Sequence, residues 1–258
     1  MATAPTTQTT PAAANPVIPV DGTHNFRSAG GYAAGDRTVR ERKLFRSDAL
    51  HRLTEGGRSA VEDLGITTVI DLRDASELES APSAVGGLPL TIAHTPIFDS
   101  VRVPGIAAVT SLGEVYRLIV ERHADRLAAA VRHIADSGDG AVLVHCTAGK
   151  DRTGLVVATA LLAVGVDREQ VLADYAASGE NLSGAWADAM LAAVERHVGG
   201  SIDETTRELV TASPAEVLAE ALDVLDALHG SAAGLLRAHG FTDADLARLR
   251  DVLTAPTR

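Results

Sequence analysis

Apolar positions fall into two rhythms along this chain. Between Leu112 and Ser137 they recur at Val115, Leu118, Ile119, Leu127, Val131 and Ile134, the three-to-four spacing of one long amphipathic helix. Short apolar or β-branched runs read instead as strands: "ITTVIDLR" (66–73), "PLTIAHTPI" (89–97) and "AVLVH" (141–145). "TVRERKLFRSDAL" (38–50) reads as a further strand that leads into a loop. "TEGGRSAVEDLG" (54–65) starts with a Thr cap and ends at Gly, as a helix does. Arg152 to Val164 is a mainly apolar helix. After residue 166 the helical period takes over, and "DREQVLADYAAS", "SGAWADAMLAAVERHV", "SPAEVLAEALDVLDALHG" and "TDADLARLRDVL" each predict an amphipathic helix.

Strands alternating with helices predict an α/β fold: a central, mostly parallel sheet flanked by helices, with a helical C-terminal part. In such sheets ligands sit beyond the carboxyl ends of the strands. Cys146 stands at such an end, directly after "AVLVH". Residues 17–255 read as one domain without internal repeats, and the Thr-, Ala- and Pro-rich residues 1–16 as a disordered tail.

Composition narrows the picture. The chain has 258 residues, of which 46% are hydrophobic and only 3% aromatic, so Ala, Leu and Val must build the core. With 34 acidic against 23 basic residues the net charge is −11, which argues against general nucleic-acid binding but leaves room for a local basic pocket. A single cysteine makes no internal disulfide. No apolar run is long enough to cross a bilayer, so no stable membrane insertion is expected. "MATAPTTQTTPAAANP" lacks the basic and apolar regions of a secretory signal; a cytoplasmic location is expected, with leaderless export as the alternative. The nine histidines form neither HExxH nor a tight cluster, so neither a metal nor a cofactor is expected. Trp186 reads as a packing anchor.

The chemistry concentrates in "HCTAGKDRTG" (145–154). A strand ends, five residues turn, and Arg152 opens a helix. Backbone N–H groups converge in such a turn and make a nest for a tetrahedral oxyanion such as phosphate. Thr147, Ala148, Gly149, Lys150, Thr153 and Gly154 are the candidate anion-binding positions, with Gly149 supplying the backbone angles of a close cradle. Cys146 beneath those N–H groups, with Arg152 six positions on, is expected to be a thiolate and the nucleophile. The planar fork of Arg152 binds two phosphoryl oxygens at once. Thr153 offers a hydroxyl to the sulfur, and His145 orders the loop. Two plainer readings compete. A Walker A motif needs Gly at 144 and Ser or Thr at 151, where the chain has Val144 and Asp151. An inert buried cysteine would not need Gly, Lys, Asp and Arg to follow it in this order.

"HCTAGKDRTG" resembles the HCxxGxxR[ST]G signature of cysteine-dependent protein tyrosine phosphatases. "AGKDRTG" is similar to the bacterial tyrosine/serine protein phosphatase family, the mycobacterial phosphatase B-like group. "HNFRSAGGY" (24–32), "LFRSDAL" (44–50), "VIDLR" (69–73) and "GFTDADLARLRDVL" near the end resemble other elements of that family in the expected order. Ser28-Ala29 stand where the family usually has Asp-Leu, and His229-Gly230 where it often has Tyr before Gly. The resemblance implies a phosphatase that acts on phosphotyrosine in proteins, with phosphoserine and phosphothreonine as further substrates, through a phosphocysteine intermediate. A phosphoinositide phosphatase is the alternative, and a catalytically silent phosphoprotein-binding module a more distant one.

Three carboxylates compete to protonate the leaving group. Asp151 lies at the loop rim, Asp71 ends the strand in "VIDLR", and Asp99 follows a strand in "PIFDS". Asp151 is the first choice; an ion pair with Arg73 is the competing role for Asp71. Lys150 is expected to add a cation toward the substrate, as in related enzymes that accept phosphoinositides. Arg46 and Arg27 are expected either to support phosphate and loop or to form salt bridges behind them.

Overall fold

The computed structural model describes residues 14–98 and 111–257. Asp99 and most of the expected tail lie outside those residues. The chain first lays down β1 (Arg27–Ser28), β2 (Ala33–Ala34), β3 (Arg37–Val39) and β4 (Leu44–Ser47). The expected strand over 38–50 is thus two strands, parted by a turn in which Arg42 takes a φ of +55°. A single 3-10 turn at Leu50–Arg52 leads to α1 (Glu55–Asp63), β5 (Ile66–Asp71), α2 (Ala75–Ser80) and β6 (Thr91–His94).

The central sheet has the order β1-β4-β7-β5-β6, with β7 (Ala141–His145) in the middle. β4, β7, β5 and β6 run parallel; β1 alone is antiparallel. All of β7 is buried, which is why its sequence is an unbroken run rather than an alternation. A small antiparallel sheet joins β2, β3 and β8 (Thr254–Pro256), a strand that follows directly on a helix and has no pattern of its own.

The helix expected over 112–137 breaks at His123 into α3 (Leu112–Arg122) and α4 (Ala124–Ala135). The break serves two directions. α3 lies along α9 (Ala215–His229), whereas α4 packs on α5 (Asp151–Ala163) and α11 (Asp243–Leu253). α5 is buried continuously from Thr153 to Leu161, as an apolar-all-round helix must be. α6 (Arg168–Asn181), α7 (Ala185–Val198), α9 and α11 match the four amphipathic stretches; α8 (Glu204–Thr211) and α10 (Ala232–Ala238) are additional. The larger core lies on the α5 face of the sheet, and a smaller one under α1 holds Phe26, Phe45, Val61, Val69 and Leu143. No described helix is long and apolar enough to cross a membrane.

Candidate active site

The loop after β7 leaves the middle of the sheet and turns into α5. Its carbonyls are held outward one by one. His145 Nδ1 lies 3.2 Å from the Cys146 oxygen. Ala49 N–H donates to Thr147 O at 3.0 Å. Asn25 Nδ2 donates to both Ala148 O and Gly149 O at 3.2 Å. Arg46 Nη2 donates to Gly149 O at 2.9 Å. A planar peptide whose oxygen points out turns its N–H the other way. Among the described residues no acceptor takes the N–H groups from Thr147 to Thr153. Gly149 has φ +67°, and a Cβ there would stand 2.1 Å from Ser47 O. Only glycine lets the loop pass this close to β4.

Cys146 lies under this nest, 1% exposed. Arg152 arches beside it from the first turn of α5. Its Nη1 and Nη2 grip Glu77 of α2 in a two-pronged pair at 2.5 and 2.8 Å. Thr147 Oγ1 also donates to Glu77. Burial pulls the Arg152 guanidinium down, but Glu77 and Cys146 more than offset this and hold it charged. The Phe98 ring lies 5.4 Å from the guanidinium carbon. Thr153 Oγ1 is buried without a hydrogen-bond partner among the described residues. Gly154 departs from the expected anion-binding role. Its N–H bonds Lys150 O at 2.7 Å, and a Cβ there would come 2.8 Å from the Tyr175 ring. It is a packing position.

Asp151 stands at the rim with its side chain 24% exposed. Tyr116 donates to its Oδ1 at 2.7 Å, and the Tyr175 hydroxyl lies 2.7 Å behind Tyr116. Burial and the neighbouring Asp151 push Tyr116 well above the usual phenol range, so it remains a donor. Asp151 Oδ2 has no hydrogen bond to a described residue, and Lys150 Nζ lies 3.6 Å from Oδ1. Asp71 is placed differently: both its oxygens are taken by Arg73, at 3.0 and 2.7 Å, in a buried pair. Burial pushes the Asp71 carboxyl up, and Arg73 with His145 outweighs it, so it stays below the usual carboxylate range. Lys150 is buried, and its ammonium is shared between Asp151 and α8. It is 1% exposed, and its Nζ donates to Leu209 O and Ala212 O at the end of α8, at 2.8 and 2.6 Å. The expected extra cation holds α8 and lies beside the Asp151 carboxylate.

A match described as the tyrosine phosphatase family spans residues 18–255. The chain belongs to the tyrosine phosphatase family. It is 32% identical to the triple specificity protein phosphatase PtpB of Mycobacterium tuberculosis, over 90% of this chain and 97% of that protein. It is 30% identical to a tyrosine-protein phosphatase of Nostoc commune, over 80% of this chain and 72% of that one. A crystal structure of P. aeruginosa TpbA aligns at a TM-score of 0.33 and 20% identity, covering 69% of this chain and 96% of that one. At that score the likeness carries no argument.

This family member braces its loop from behind with a buried charge cluster. Arg46 Nη1 pairs with Asp174 of α6 at 2.5 Å, and Arg27 Nε lies 3.4 Å from the same carboxylate. Arg27 also donates to Ser178 at 2.9 Å, and Tyr32 to Asp174 at 3.1 Å. Arg46 and Arg27 therefore hold loop and helix together. Burial pushes the Asp174 carboxyl up, and Arg46 and Arg27 outweigh it, leaving it below the usual range. A depressed carboxylate stabilises the fold above its unfolded pKa, about 4. That stability is lost as pH falls through the lower folded value. Asp174→Asn, which leaves two buried cations facing a neutral amide, is expected to cost about 3–5 kcal/mol. Urea melts at pH 7 check it, and a loss under about 1 kcal/mol would contradict a cluster dependent on this charge.

Asn25, Glu77, Tyr116 and Asp174 have no part in the sequence reading of the site. Glu77 had a signal, since Asp74-x-x-Glu77 spells a capping box and the structure forms it. Asp174 had another: it shares one buried face of α6 with Val171, Tyr175 and Ser178. A charge on such a stripe needs a buried partner.

Proposed function

We propose that this chain hydrolyses phosphotyrosine in proteins, and phosphoserine and phosphothreonine besides, through a phosphocysteine on Cys146. One observation carries the reading: outward-held carbonyls turn a ring of free N–H groups over a buried cysteine, with Arg152 alongside. Such a ring suits a phosphoryl group whose three outer oxygens gather charge during transfer.

In the first step Cys146 Sγ attacks phosphorus in line. The S–P bond forms, the P–O bond to the tyrosine breaks, and Asp151 gives its proton to the departing oxygen. Tyr116 occupies Asp151 Oδ1, so Oδ2 makes the transfer. Thr153, whose hydroxyl lacks another partner, donates to the sulfur as it leaves again. In the second step Asp151 takes a proton from water, the new P–O bond forms, and the S–P bond breaks. Arg152 and the loop N–H groups follow the phosphoryl oxygens throughout. With Lys150 committed to α8, nothing in the loop adds a preference for several phosphates.

Acid quench during turnover of a phosphotyrosine peptide is expected to trap a phosphoryl group on Cys146, detected by peptide mass spectrometry. Phosphate release that never passes through Cys146 would sink the reading. Glu77 should matter through Arg152. Glu77→Gln retains the cap of α2 but loosens the guanidinium, and kcat/KM is expected to fall about tenfold. Steady-state rates beside a thermal melt check it; unchanged rates would leave Glu77 a capping residue only.

A further inference from the structure

A cavity of about 520 Å³ opens beside the catalytic loop, between the loop, the 3-10 turn after β4, and α7. Thr147, the residue after the nucleophile, lines it. Its volume is in the range of small-ligand sites. One wall is apolar, because Trp186, Met190 and three alanines share one face of α7. The other wall carries two guanidinium groups and two imidazoles. Arg52 and His51 come from the 3-10 turn, His24 from the segment before β1, and Arg196 from the last turns of α7.

The charge around the cavity is one-sided. The net charge of the chain is −11, and several surface arginines meet carboxylates, as in Arg168–Asp223, Arg237–Asp243 and Arg250–Asp36. The side chains of Arg52, Arg196, His24 and His51 are exposed, and none has a hydrogen bond or ion pair with a described residue. Asp48 is the only carboxylate among the described residues that line the cavity, and it is buried. Its Oδ1 accepts from the N–H groups of His24 and Asn25, both at 2.9 Å, and from the Ser47 hydroxyl. The guanidinium groups of Arg52 and Arg196 are therefore left without an ion pair among the described residues.

We propose that this cavity is a subsite for an acidic side chain close to the phosphotyrosine of a peptide substrate. The inference rests on the phosphatase reading of the loop. An Asp or Glu offers a short apolar stem to the α7 wall and a carboxylate to Arg52 and Arg196. Thr147 belongs to both the phosphate nest and the cavity, and successive residues of an extended chain step about 3.5 Å. The acidic residue thus sits within about two positions of the phosphotyrosine.

The test reads binding, so it does not depend on turnover. Cys146→Ala protein is titrated with two phosphotyrosine peptides that differ only in carrying Glu or Ala beside the phosphotyrosine. The Glu peptide is expected to bind about 5–10-fold tighter, the sum of two exposed ion pairs. Adding Arg52→Gln and Arg196→Gln should bring the ratio below about twofold. In an Arg52→Glu, Arg196→Glu background a Lys-flanked peptide should become the tighter ligand. Equal binding of the two peptides at the start, or a ratio unmoved by the double substitution, overturns the subsite. So does a soluble inositol bisphosphate that loses affinity on the double substitution while the peptide ratio stays put. Turnover by the unsubstituted chain is recorded separately; its absence would overturn the phosphatase reading and leave the binding ratio to judge the subsite.

Discussion

Cys146→Ser is expected to lower phosphate release from a phosphotyrosine peptide by at least about 1,000-fold while leaving the fold intact. The substitution exchanges sulfur for a smaller oxygen in a buried site, so packing survives. The hydroxyl, however, has no base to activate it. His145, next in sequence, is fully buried; its Nδ1 meets the Cys146 carbonyl, and its Nε2 lies 3.4 Å from Asp71. Burial lowers the His145 pKa against the opposing pull of Asp71, so it stays neutral and engaged with the strand end. Initial rates, with circular dichroism as the control for folding, decide the matter. A serine variant with a tenth of the original rate would mean that the sulfur is not the nucleophile.

Asp151→Asn is expected to lower kcat by about 100-fold on phosphotyrosine and by less than about fivefold on an aryl phosphate with a strongly activated leaving group. The difference carries the argument. A tyrosine oxygen leaves poorly unless protonated, whereas an activated phenolate leaves without help. Asn keeps the contact with Tyr116 and loses the transferable proton and the charge that faces Lys150. A leaving-group series measured on both proteins gives the comparison. Equal losses on good and poor leaving groups would reduce Asp151 to a structural partner of Tyr116 and would reopen the choice of acid. Asp71 would gain little from that result, because Arg73 holds both of its oxygens.

The parts of the site that are contiguous in the chain were legible before any folding was considered. Cys146, Gly149, Asp151 and Arg152 occupy one turn, and covalent geometry brings them together whatever the rest of the fold does. Strand order was not legible. β7 lies between β4 and β5, and only that order carries Asn25 and Arg46 to one side of the loop and Glu77 to the other. Lys150 and Gly154 stand differently from expectation, each within four residues of Cys146 or Asp151. Spacing put them in the loop; it could not say that α8 would present two carbonyls to Lys150, or that the Tyr175 ring would lie on Gly154. The long helix over 112–137 failed for the same kind of reason, since its apolar period continues through His123 while its packing partners change there.

The sequence alone fixes the alternation of strands and helices, the tight turn after β7 and the order of its polar groups. These follow from residue period, backbone freedom and bonds along the chain. The tertiary structure decided what holds each of those groups: Glu77 on Arg152, Tyr116 on Asp151, Asp174 behind Arg46, α8 over Lys150. A buried charge or donor takes whichever partner the packing brings within about 3 Å, and that choice belongs to the register and order of strands and helices distant in sequence.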